Sequence, residues 1–79
     1  MDGLTEGGKR LLADTLEPGL YARDCMRIIR YSLMQPPLNH FQPQRNGVHV
    51  ADANAGVTLS DYSLIKAHLM LIGRWPWTD

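Results

Sequence analysis

Gly56-Val57-Thr58-Leu59-Ser60-Asp61-Tyr62-Ser63-Leu64-Ile65-Lys66-Ala67-His68-Leu69-Met70-Leu71-Ile72-Gly73 is the stretch whose reading decides the fold. Its start fits a capping box. Thr58 and Asp61 stand three residues apart, so each side chain can satisfy an orphan amide at a helix start. Val57 and Tyr62 have the spacing of the accompanying hydrophobic staple. Tyr62, Ile65, Leu69 and Ile72 then recur at helical spacing and make one apolar stripe. Gly73 is the terminator. The pattern predicts a helix opened by Thr58 and closed by Gly73.

Outward from this segment the same period recurs. From Leu20 to Met34, Ala22, Cys25, Ile29 and Leu33 form an apolar stripe, widened by Met26 and Ile28. Arg23, Arg27 and Arg30 make a basic stripe on another face, and Pro36-Pro37 stops the helix. Leu4 to Leu16 predicts a first, shorter helix with Leu11, Leu12 and Leu16 on one side. Gly7 and Gly8 weaken it, each by about 1 kcal/mol relative to alanine. Glu17-Pro18-Gly19 breaks the chain. Leu38 to Gly47 is a polar connection, Val48-His49-Val50 a short extended piece, and Asp52 to Gly56 a turn. The expected fold is all-α: two main antiparallel helices, a short N-terminal helix and long connecting loops.

Composition narrows the class. The 79 residues make one small domain, near the lower size for a core without disulfide or metal staples. Apolar residues at 44% argue against wholesale disorder. Eight basic and eight acidic side chains cancel, so no overall field draws in nucleic acid or anionic membrane. The single cysteine, Cys25, excludes an internal disulfide and a Cys-rich zinc site; its apolar neighbours mark it as a buried thiol. No apolar run reaches the ~18 residues of a membrane span, and no signal-peptide core is present. The expectation is a soluble protein, cytoplasmic or excised from a longer secreted chain.

Residues 13–34 and 50–71 also align with each other at an offset of 37, with 35–49 as linker. Gly19 matches Gly56, Leu20 matches Val57, Asp24 matches Asp61 and Ile28 matches Ile65. With Asp61 at the twelfth position of a calcium loop, Asp52 falls third, Asn54 fifth and the apolar Val57 eighth. Each copy continues into a helix, as Asp61 to Leu69 and as Asp24 to Leu33. In this the chain resembles the dockerin family, whose two loop–helix repeats are like half EF-hands and bind cohesin modules. The likeness implies two repeated loop–helix units and recognition of a partner protein such as a cohesin through a helix face. It also implies a weak calcium site at Asp52, Asn54 and Asp61. The first ligand positions hold Val50 and Ala13 where family loops carry aspartate, so weak or absent calcium binding is expected, and no other cofactor.

Catalysis is not expected. Nothing orients a base toward Cys25, Gly7-Gly8-Lys9 lacks the rest of a phosphate loop, and His40, His49 and Asp52 fit no zinc spacing. The expected function is protein–protein interaction. Arg23, Arg27, Arg30 and Tyr31 on one helix, or Lys66, Ala67 and His68 on the other, would present the contact. Trp75 and Trp77 flank Pro76 in the C-terminal tail. They either serve a partner as hot spots or fold back as a clasp on this small core, and the clasp is favoured. The alternatives are a small accessory subunit of a larger complex and a nucleic-acid-binding helical domain.

Overall fold

A computed structural model describes residues 2–34, 44–45, 48–49 and 56–78. The protein is all-α. Helix α1 spans Glu6–Leu16, α2 spans Leu20–Met34 and α3 spans Leu59–Leu71. Between α2 and α3, Gln44–Arg45 (β1) and Val48–His49 (β2) pair antiparallel through two residues each.

Helix α3 begins and ends where its sequence directs. The Thr58 hydroxyl accepts from Asp61 N–H at 3.1 Å, and the Asp61 carboxylate accepts from Thr58 N–H at 2.9 Å. Val57 packs against the cluster that contains Tyr62. At the far end Gly73 adopts φ +74°, a left-handed conformation that L side chains rarely adopt. This lets Gly73 N–H donate to Met70 C=O at 3.2 Å and Arg74 N–H donate to Leu69 C=O at 2.8 Å, the paired bonds of a Schellman ending. The chain then reverses, and Trp75 N–H also reaches Leu69 C=O.

The start of α1 is joined to the start of α3 through one carboxylate. Thr5 caps α1, its hydroxyl accepting from Gly8 N–H at 3.0 Å. Thr5 N–H donates to Asp61 Oδ1 at 3.0 Å, and the Thr5 hydroxyl donates to Asp61 Oδ2. Asp61 is fully buried. Its surroundings give Gly8 a packing role beside its low helix propensity. A Cβ at that position would lie 2.6 Å from Asp61 Cγ, so the missing side chain is what lets the two helix starts meet. At the opposite end the Arg74 guanidinium donates to Leu16 C=O at 3.4 Å. Helices α1 and α3 therefore point the same way. Helix α2, which packs more extensively on each than they do on each other, is the central element.

The core is built from Leu11 of α1, Cys25, Met26, Ile28 and Ile29 of α2, Tyr62, Ile65 and Leu69 of α3, and Trp75 of the tail. The stripes expected for α2 and α3 are the ones buried, except that Leu33 is half-buried and Ile72, beyond the last turn, is exposed. On α1, Leu11 alone of its three leucines is fully buried. The segment aligned as the first loop begins inside α1: Ala13 and Thr15 are helical, and the buried Thr15 hydroxyl donates to Leu12 C=O at 2.8 Å. The aligned aspartates also differ. Asp61 caps α3 in its first turn, whereas Asp24 lies in the second turn of α2 and pairs with Arg27.

Candidate interaction surfaces

The tail folds onto α2 and α3. Trp75 is buried in the core, and Trp77 packs against it with ring centroids 5.0 Å apart at 71°, an edge-to-face contact. Each indole carries a cation. The Arg30 guanidinium lies 4.9 Å from the Trp77 ring centre, and Lys66 Nζ lies 5.6 Å from that of Trp75. Four of the residues named as partner contacts thus come together in one cluster that ties α2, α3 and the tail. The Trp75 indole N–H is buried with no acceptor among the described residues.

The other named residues stand outside this cluster. Arg23 is exposed, and Arg27 forms an ion pair with Asp24 at 3.0 Å. Tyr31 and His68 are half-buried. Of the three candidate calcium ligands, Asp52 and Asn54 lie outside the described residues, as do His40 and the first ligand position Val50. Asp61 faces inward to Thr5 and Thr58. Burial pushes its carboxyl up, but the hydrogen bonds from the Thr5 hydroxyl, Thr58 N–H and Thr5 N–H together outweigh this and hold it below the usual 3.8. Among the described residues no three His, Cys, Asp or Glu side chains converge as a metal site. The Tyr21 hydroxyl sits 3.4 Å from Asp14; burial first, then Cys25 and Asp14, push its ionisation upward, which keeps it protonated. No described helix is long and apolar enough to cross a membrane.

A surface largely missed by the sequence reading lies on the outside of α3. That reading named Ala67 but took Lys66 and His68 as its companions. The two formal charges of the helix are withdrawn, Asp61 into the core and Lys66 over Trp75. What remains outward is apolar or small: Leu59, Ser60, Ser63, Ala67, Met70 and Leu71 are exposed, and Leu71 is 85% exposed. Leu64 is half-buried beside Gly3. On the α1 segment, Leu4, Lys9, Leu12, Ala13 and Leu16 line an open groove of about 300 Å³. The signal was present in the sequence as apolar residues almost all the way round the α3 helix, which marks a helix with more than one packing partner.

Comparison with protein-family models, with curated proteins and with solved structures finds no match for this chain.

Proposed function

We propose that this protein is a non-catalytic protein–protein interaction module, and that its contact surface is the outer face of α3. The observation that carries this reading is a helix face with exposed Leu59, Met70 and Leu71 and no formal charge. Scattered exposed leucines are ordinary on a soluble protein, but a contiguous uncharged face is the mark of a surface that another chain covers. A core of this size gains stability from such cover. Recognition through a helix face is also the dockerin-like mode, and here it would need no metal. An accessory subunit of a larger complex is the same chemistry in a permanent assembly. The nucleic-acid reading has less support, because Arg27 is paired with Asp24 and Arg30 lies over Trp77.

The test is a photo-crosslinking side chain placed at Ala67, on α3, or at Arg23, on α2, in the protein expressed in its own cells. Both positions are exposed, so neither substitution disturbs the core. A protein adduct from position 67 and none from 23 is the expected result. Adducts from 23 alone would move the contact to the basic stripe of α2 and overturn the α3 assignment.

A further inference from the structure

The C-terminal tail is attached to the three helices by a different kind of contact from the one that joins the helices to each other. Its backbone is held at a single point, where Arg74 N–H at 2.8 Å and Trp75 N–H at 3.2 Å share the Leu69 C=O. The Arg74 guanidinium adds an exposed bond of 3.4 Å to Leu16 C=O. The rest of the attachment is made by rings. Trp75 is only 9% exposed, Trp77 stands edge-to-face on it, and Lys66 and Arg30 lie over the two indoles. Apolar burial is non-directional, so these contacts can be lost together without any helix changing its own hydrogen bonds.

The docked state of the tail is also incomplete. A buried indole usually brings its N–H to a partner, but the Trp75 N–H is buried with no acceptor among the described residues. Such a donor forfeits its hydration and receives nothing in return. Burial of the ring therefore works against burial of the N–H, and undocking returns the donor to water. Gly73 supplies the hinge. It stands between the last turn of α3 and the tail at φ +74°, the space where a Cβ would stand is open, and glycine reaches positive and negative φ alike. The helices keep their own support when the tail leaves. Leu11, Cys25, Ile29, Tyr62, Ile65 and Leu69 form a core to which all three contribute. The bonds of Asp61 to Thr5 and Thr58 lie at the opposite end of α3. A segment held by few backbone bonds opens ahead of the body it is docked on.

We infer that the tail is a latch: residues 74–78 swing out about Gly73 as one unit, with the three helices still folded, and expose Trp75 and Trp77 together. The two sequence readings of these tryptophans, as a clasp and as surface for a partner, are then the closed and open states of one segment. The test is native-state hydrogen exchange, followed by NMR on the purified full chain at a series of low urea concentrations. Three protons report on the latch: the Arg74 amide, the Trp75 amide and the Trp75 indole N–H. The amides of Ile65 and Leu69 report on the core. The three latch protons are expected to share one opening constant, at least about 10-fold larger than that of the core amides. Their exchange is expected to vary little with urea, because undocking exposes a small part of the surface that unfolding exposes, whereas the core amides follow the full urea slope. Latch protons with the constant and slope of Ile65 and Leu69 overturn the inference, because the tail then leaves only when the protein unfolds. Unequal constants among the three overturn it as well: a fast indole beside slow amides is solvent reaching the ring without movement of the tail. No protection at Trp75 would show that the tail is never docked, and that too overturns it. The measurement is made on the free chain, so each result leaves the α3 contact face to its own crosslinking test.

Discussion

Asp61 is the side chain on which most of this structure's geometry converges. It closes the cap of α3, accepts from both donors of Thr5, and lies where the Gly8 side chain would be. Helix propensity alone favours Gly8→Ala by about 1 kcal/mol. The 2.6 Å approach to Asp61 Cγ reverses that sign: Gly8→Ala is expected to destabilise by about 1–3 kcal/mol, the usual range for overpacking. A higher urea midpoint would show that α1 and α3 are not held this close. Asp61→Asn removes the charge from hydrogen bonds that are each stronger for having it, and about 2–4 kcal/mol is expected to be lost at neutral pH. Thr58→Ala, which removes only one cap acceptor, is expected to cost about 1 kcal/mol. The pH dependence follows from the lowered Asp61 ionisation. Above the usual value of 3.8 the unfolded and folded carboxyls are both charged and the stabilisation is complete; as pH falls through the folded-state value, it is lost. The stability gap between wild type and Asp61→Asn should therefore narrow on acidification, and urea titrations of both proteins from neutral to strongly acid pH measure it.

At the scale of elements, α3 is fixed at both ends and then continued by a tail that packs back on it. The ending depends on Gly73 at φ +74°, so Gly73→Ala is expected to cost about 1–2 kcal/mol, the penalty for an L side chain in the left-handed region. The tail contributes through Trp75. Trp75→Ala is expected to cost about 3–5 kcal/mol, as for a buried aromatic, and Trp77→Ala distinctly less because its ring is half-buried. Thermal or denaturant unfolding of the two variants compares them directly. Equal and small losses would mean that the tail is not part of the folded unit. Arg30 and Lys66 act here as covers for the indoles, with the guanidinium over the Trp77 ring and the ammonium over that of Trp75.

For the whole molecule, the arrangement of α1, α2 and α3 is held by a buried carboxylate at one end and by Arg74 on Leu16 at the other. The Asp61 carboxylate accepts from Thr5 N–H, the Thr5 hydroxyl and Thr58 N–H, so its oxygens are engaged within the fold. Calcium at millimolar concentration is accordingly expected to leave the melting temperature of the metal-stripped protein unchanged. A rise that grows with calcium concentration would show a site that binds the folded state, since ligand-linked stability follows free ligand.

The helices were legible in the sequence because their determinants are local. Thr58 and Asp61 are three residues apart, the α2 stripe repeats within one helical turn, and glycine or proline punctuates each boundary; such signals act through backbone bonding between near neighbours. The clasp by Trp75 and the two-residue extended piece at Val48–His49 also follow from local chemistry: large apolar rings beside a helix end, and a short β-favouring run. Four things required the tertiary structure. Gly8 reads as a weakness until Asp61 is placed against it, 53 positions along the chain. Asp61 reads as an exposed cap until Thr5 arrives from the other end to bury it. Arg30 reads as part of a basic stripe until the tail brings Trp77 to it. The outer face of α3 is uncharged only because Asp61 is buried and Lys66 lies over Trp75. The physical reason is the same in each case. Periodicity fixes which residues share a helix face, but a carboxylate, glycine or arginine takes its role from the group it meets across the fold, and that encounter is set by packing between distant segments.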